Sequence, residues 1–307
     1  MIFIPTPRRW ATSAAGTTPP LAIPTTPSIP GGNFHRASRE TIVEKSSDLM
    51  APETLPPARR TRNDSLTRVN IILFDSTEID QPLARSDRRA AHLLTVLRRG
   101  PGDSFDAGII NGAQGKATLC TVADESLTFL FTAQIAAPLR DPVTLVIGLP
   151  RPQTARDILR DATTLGVAAL HFVLTEKGER GYAQSTLWST GEWRRHVIAG
   201  AEQAFATAIP DVTWGRSLAA VTTALTAPRR LALDNYESPS SLRDWQPAAD
   251  GAEVVLAIGG ERGWANAERA LLRLHGFEFF HLGPRALRTE TACTAALAIV
   301  RTKLGLM

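Results

Sequence analysis

The residues of this chain best suited to chemistry are Glu261, Arg288 and Glu290, each carried by a glycine-bearing loop. Glu261 sits in Ile258-Gly-Gly-Glu-Arg-Gly-Trp264, while Arg288 and Glu290 sit in Leu282-Gly-Pro-Arg-Ala-Leu-Arg-Thr-Glu-Thr-Ala292. A guanidinium can stabilise an anion that forms during a reaction, and a carboxylate made basic by burial can accept a proton. The same groups could equally form a structural Arg–Glu pair. Each loop closes an apolar strand, Val254–Ile258 and Phe277–Leu282, and each feeds a helix. Two such junctions place two backbone-rich loops side by side at the carboxyl edge of a sheet, where α/β folds bind ligands. The pattern predicts a cofactor site.

The first loop is not a dinucleotide fingerprint. It reads G-G-x-x-G rather than G-x-G-x-x-G, only 44 residues follow it, and Glu278 falls within a strand pattern instead of closing one. Its glycines also suit a tight turn with positive φ. In the second loop, Gly283-Pro284 predicts a stiff bend, Thr289 a helix N-cap, and Glu290 an acidic residue in the first turn.

The elements that must position these loops alternate from Pro142 onward. Strand Val143–Leu149, helix Thr154–Leu165, strand Ala168–Leu174, helix Gly191–Ala206 and strand Arg230–Asp234 precede the two junctions. This alternation implies an α/β domain over 140–307 with a mainly parallel sheet covered on both faces. Residues 69–139 read instead as a small β-barrel, with strands Asn70–Phe74, Ser104–Ile110, Lys116–Val122 and Ser126–Ala133. Between the first two strands, a helical run from Ser86 to Arg98 turns Leu93, Leu94 and Leu97 inward. The basic residues Arg85, Arg88, Arg89, Arg98 and Arg99 are either a solvated face or a surface for RNA phosphates. His92 reads as structural. Trp188, Trp193, Trp214 and Trp245 read as core packing, with base stacking the alternative.

Composition bounds the function classes. With 307 residues and 43% hydrophobic content the chain can bury a core, and no apolar run approaches the roughly 18–20 residues that span a bilayer. A soluble protein without a membrane partner is expected. Cys120 and Cys293 fit neither a disulfide framework nor a metal site, so a reduced, cytoplasmic compartment and no metal are expected. The formal charge of +4 arises entirely from residues 1–68, which hold nine Lys/Arg against five Asp/Glu. RNA binding by the folded part must therefore depend on where charges cluster. Residues 1–68 also hold ten of the 21 prolines, which predicts disorder. Their acid-poor start admits an organelle transit peptide. A linker or a mis-assigned start is the simpler reading, because Val69 opens a strand pattern abruptly.

Taken together, Gly259, Gly260, Glu261, Gly263 and Glu268, followed by Leu282, Gly283, Arg285, Leu287, Arg288, Glu290, Thr291 and Ala292, resemble the 16S rRNA (uracil-N3)-methyltransferases of the SPOUT superfamily. The likeness extends to Leu165-Gly-Val167, Glu202-Gln203 with Ile209-Pro210, and His92–Arg98 with Gly102-Asp103, and so covers about 240 residues. Residues 1–68 lie outside it. The chain departs from the family pattern at Gly260, where proline is usual, and at Arg262, where glycine is usual. It departs again at Ala206 and Ala208, where basic residues normally follow the Glu-Gln pair.

The resemblance implies a C-terminal trefoil knot, a PUA-like RNA-binding barrel before it, S-adenosyl-L-methionine as cofactor, and a homodimer with the site at the subunit interface. The implied cofactor contacts are Leu256, Ile258, Gly259, Gly260, Gly263, Leu282, Gly283, Leu287, Thr289, Thr291 and Ala292. The implied reaction is methyl transfer to a uridine N3 in 16S rRNA of the small ribosomal subunit. Arg288 could stabilise the deprotonated base, and Glu261 or Glu290 could take the proton. The altered loop leaves two further readings open: a non-catalytic RNA-binding assembly factor, or a methyltransferase for another rRNA site.

Overall fold

The computed structural model describes residues 71–247 and 253–307, all within one compact unit. The expected disorder of residues 1–68 lies outside the described residues.

The first sheet holds five strands: β1 (Ile72–Phe74), β2 (Leu83–Ala84), β3 (Ser104–Ile109), β4 (Gln114–Val122) and β5 (Ser126–Ile135). Their order is β1-β3-β4-β5-β2, antiparallel except for β1 beside β3. Four of these strands were legible in the sequence. The two-residue β2 was not, because Leu83–Ala84 is too short to carry a period. Alternate residues Phe105, Ala107, Ala117, Leu119 and Leu127 turn inward around Phe74 and Leu93. The helical run is shorter than its pattern suggests: α1 (Arg88–Ala91) passes into a π-turn over His92–Val96. Leu93 is fully buried there, while Leu94 and Leu97 pack at the margin.

The second sheet is parallel throughout. Its seven strands are β6 (Asp141–Gly148), β7 (Val167–Leu174), β8 (Asp211–Ser217), β9 (Arg229–Leu233), β10 (Ser240–Ser241), β11 (Val254–Ile258) and β12 (Glu278–His281), in the order β10-β12-β9-β11-β6-β7-β8. Val143, Leu145 and Ile147 of β6 point to one face and Val146 to the other, as alternation in a strand dictates. Helices α2 (Pro152–Thr164), α4 (Glu192–Gln203) and α7 (Thr289–Lys303) cover the first face. Helices α5 (Leu218–Ala224) and α6 (Asn266–Leu274) cover the second. The short α3 (Thr186–Ser189) seats Trp188, which stacks on Trp214 at 5.2 Å. Trp193 lies 5.9 Å from Trp214, and Trp245 is buried, so all four tryptophans are packing residues here. Helix α7, which follows β12, packs on Leu242–Asp244, β11 and α2.

The Glu202-Gln203 and Ile209-Pro210 elements join the two sheets. Glu202 accepts the Leu73 amide at 3.4 Å, Thr207 donates to the Gly112 carbonyl, and the Ile209 amide donates to Asn111 Oδ1. Burial pushes the Glu202 carboxyl above the usual range, with the Leu73 amide and nearby arginines opposing it. Ala206 and Ala208 line a separate small hollow with Arg140, Thr163 and Arg301.

Arg89 departs from its expected place on an RNA-facing surface. Its guanidinium lies 2.8 Å from Glu78 and 2.9 Å from Asp87, donates to the Leu73 carbonyl, and sits 4.8 Å from the Phe74 ring centre. These bonds hold both carboxyls below their usual range. With its donors committed inward, Arg89 is a structural residue. Arg85 donates to the Ala123 carbonyl, and Arg88 approaches Glu202 at 3.9 Å while remaining 66% exposed. Arg98 and Arg99 are exposed.

Candidate active site

Four strand ends meet at the carboxyl edge of the parallel sheet, and Trp264 fastens three of them. Its ring is fully buried, its Nε1 donates to the Leu233 carbonyl at the end of β9, and its own carbonyl accepts Lys177 Nζ at 2.9 Å from the loop after β7. Glu268, one helical turn further on, is buried and accepts two amides, Glu176 at 2.8 Å and Ala265 at 2.7 Å. Glu261 reaches the fourth strand end by accepting the Arg151 amide after β6 at 3.0 Å. The turn Gly260–Gly263 closes through a 2.9 Å backbone bond, with Gly263 at φ +62°. The substitutions at Gly260 and Arg262 therefore leave an ordered turn.

Gly148 lets this turn approach. A β-carbon there would lie 2.4 Å from the Gly260 nitrogen and 3.0 Å from Thr175 Cγ2. The threonine could rotate away, but the Gly260 backbone could not yield without moving the whole turn. Gly148→Ala should cost about 1–3 kcal/mol of stability, as overpacking does, with weakened ligand binding at the turn. Urea unfolding and calorimetry check both effects.

Two cavities share the turn as a common wall. The larger, about 640 Å³, is lined by Leu149, Arg151, Thr154, Thr175, Lys177, Gly178, Glu179, Tyr182, Gly260–Gly263 and Ala286–Glu290. The smaller, about 220 Å³, is lined by Leu233–Tyr236, Ile258–Gly263, Leu282, Ala286, Leu287, Thr289 and Ala292. The two glycine loops thus lie together, as their spacing predicts. Arg262 borders both cavities and is exposed at the surface.

Of the expected cofactor contacts, Ile258, Gly259, Gly260, Gly263, Leu282, Leu287, Thr289 and Ala292 line the smaller cavity. Leu256, Gly283 and Thr291 do not. Leu256 is fully buried mid-strand, in register with Leu145 and Leu231 on its two sides, while Thr291 faces outward from α7. Thr289 is the first residue of α7 rather than its N-cap. Arg288 holds the cap position, without a side-chain cap bond.

Arg288, Glu261 and Glu290 all face the larger cavity. Among the described residues Arg288 makes no ion pair, so the structural Arg–Glu pair left open by the sequence does not form. Glu261 is 42% exposed and already holds the Arg151 amide. Glu290 is half-buried at the start of α7 with its carboxylate free of internal partners among the described residues.

The sequence reading missed the third loop, Asp234–Tyr236. Asp234 accepts the amides of Tyr236 and Glu237 and pairs with Arg269 at 2.8 Å, with side chains 2% and 6% exposed. It also missed Arg151, Lys177 and Tyr182. Their strands were visible, but nothing local marks where those strands end in space.

Among the described residues no cluster of His, Cys, Asp or Glu could hold a metal ion, and no helix is long and apolar enough to cross a membrane. Residues 137–301 match the model of the RNA methyltransferase domain. The ribosomal RNA small subunit methyltransferase E of Treponema pallidum is 37% identical over 243 residues, covering 76% of this chain and 90% of that protein. The chain belongs to this family. Two solved structures share the fold of such enzymes. One is the ribosomal RNA small subunit methyltransferase E of Neisseria gonorrhoeae bound to S-adenosyl methionine, with a TM-score of 0.61 and 23% identity, covering 76% of this chain and 97% of that one. The other is a Legionella pneumophila methyltransferase in complex with the same cofactor, with a TM-score of 0.64 and 23% identity, covering 77% and 98%. A member of this family must bring a methyl donor and an RNA together, and here two cavities share one wall.

Proposed function

We propose that this chain methylates N3 of a uridine in 16S rRNA of the small ribosomal subunit, using S-adenosyl-L-methionine, as a cytoplasmic homodimer. The observation that carries this reading is the pair of cavities meeting at Gly260–Gly263 and Ala286–Leu287. The smaller cavity suits the cofactor because its wall combines the glycine-loop backbone with the apolar Leu233, Ile258, Leu282, Leu287 and Ala292. Backbone groups can read the edge of an adenine while apolar side chains cover its faces. The bound cofactor supplies an electrophilic methyl group on a sulfonium, and no metal is needed.

The protein's own residues do the rest. The larger cavity receives a base splayed out of its stack, because N3 is inaccessible inside a duplex. Arg288 stabilises the uracil anion left when the N3 proton departs. Glu290 is better placed than Glu261 to take that proton, since Glu261 is occupied by the Arg151 amide. Where the two cavities adjoin, base and donor can meet directly, so that N3 displaces the sulfonium in line, the alignment that transfer requires. Calorimetry with S-adenosylmethionine tests the reading. Binding heat is expected, and none at millimolar cofactor would favour a non-catalytic RNA-binding factor.

Residues 69–139 serve as the PUA-like RNA-binding barrel and 140–307 as the knotted methyltransferase domain. Arg85, Arg88, Arg98 and Arg99 contact RNA phosphates, without Arg89. Neutralising these four should flatten the dependence of log affinity on log salt by roughly 0.7–0.9 for each phosphate no longer neutralised, while Arg89→Met should leave the slope unchanged and lower stability. Filter binding across a salt series reads the slope, and an unaltered slope in the fourfold variant would move RNA to another surface.

A further inference from the structure

The chain has two tyrosines, and each lines one of the two cavities: Tyr236 the smaller, Tyr182 the larger. Tyr182 is held unusually well for a loop residue. It sits in the 3-10 turn Arg180–Gln184, whose start is capped by Glu179 accepting the Gly181 amide. The Tyr182 amide donates to the Glu179 carbonyl, and the Tyr182 carbonyl accepts from Ser185. Its ring is half-buried against the main core. The neighbouring Trp188, Trp193 and Trp214 all pair with other rings. Among the described residues Tyr182 has no ring partner, no cation over it and no bond to its hydroxyl. A fixed aromatic surface left unpaired at a cavity wall is a platform for another π-system.

We propose that Tyr182 is the stacking platform for the splayed target base, and that Arg151, which lines the same cavity, receives the phosphate beside it. This rests on the reading that the larger cavity holds the RNA nucleotide. Arg151 suits the part: its side chain is 57% exposed, its Nε bonds only Thr154 at 3.2 Å, and Glu261 lies 4.0 Å away. An aromatic face holds any base sequence-tolerantly, so Tyr182 would set the position of the nucleotide while edge contacts select it.

The test compares wild type, Tyr182→Phe and Tyr182→Leu on small ribosomal subunits lacking the modification, with cofactor affinity measured separately. Tyr182→Phe should keep activity within about threefold. Tyr182→Leu should lose about 5- to 150-fold in kcat/KM for RNA, the span of base–aromatic stacking, with cofactor Kd unchanged. Loss of cofactor binding in parallel, or no loss of activity, overturns the proposal. To guard against misfolding of Tyr182→Leu, wild-type protein is photo-crosslinked to an rRNA fragment carrying 5-iodouridine at the mapped site. A crosslink to Tyr182 is expected, and one confined to other residues overturns the platform. Wild-type protein that neither binds cofactor nor methylates RNA would instead overturn the functional reading beneath it.

Discussion

Arg288→Ala should lower turnover roughly 100- to 1,000-fold, the usual effect of removing a preorganised group that stabilises developing charge, while melting temperature stays within about 1 °C. The second half of the expectation comes from the structure: the Arg288 side chain faces the larger cavity and makes no ion pair among the described residues. Its removal therefore breaks no ion pair, and the residue is exposed rather than part of the core. Single-turnover kinetics at saturating cofactor isolate the chemical step. Arg288→Lys should recover only part of the rate, because an ammonium lacks the planar fork of donors. A large fall in melting temperature, or a loss confined to cofactor affinity, would make Arg288 structural or a cofactor ligand.

Asp234→Ala should destabilise the protein by about 3–5 kcal/mol, the cost of stripping one partner from a buried ion pair. The carboxylate does two jobs. It neutralises the Arg269 guanidinium, and it accepts two amides that shape the third loop of the smaller cavity. Without it, Arg269 keeps Asn266 at 3.0 Å, Glu237 at 3.8 Å and the Tyr236 ring at 5.4 Å, none of which replaces a carboxylate in contact. Cofactor affinity should fall as well, since Tyr236 is positioned by the same carboxylate. Adding Arg269→Met to Asp234→Ala should restore much of the stability, because no unpaired charge is then buried, but not the affinity. Urea unfolding of the three proteins separates the effects. A cost below about 1 kcal/mol for Asp234→Ala would mean that water reaches the pair.

The parts of this fold that were legible in the sequence are those whose signal is local. Val254–Ile258 is an unbroken apolar run because it lies at the centre of a parallel sheet, flanked by β6 and β9, and its limits are those read from the sequence. The two glycine loops were equally readable, since a turn and a helix start each leave residue types in fixed order. Strand β8 was missed because Asp211–Ser217 is an edge strand with no fully buried residue, so its pattern carries no apolar alternation. Arg89 shows how counting charge misleads. Its basic neighbours suggested a binding face, but Glu78 from the preceding loop and Asp87 at the start of α1 claim its guanidinium. The Thr289 cap failed by a single residue, and that shift puts Arg288 at the mouth of the helix, beside the cavity.

Half of the site came from strand ends that no motif marks. Lys177 and Tyr182 follow β7, Asp234 and Tyr236 follow β9, and only the order of strands in the sheet brings them to Gly260 and Leu287. Parallel pairing makes this inevitable in retrospect, since all seven strands end on one edge and their following loops converge there.

The central claim is methyl transfer to uridine N3, and one measurement addresses it directly. Purified protein and isotopically labelled S-adenosylmethionine are incubated with small ribosomal subunits from a strain lacking the family enzyme, and the digested nucleosides are resolved by mass spectrometry. Label is expected in 3-methyluridine at a single small-subunit position. Label in another nucleoside, or none despite cofactor binding, would contradict it.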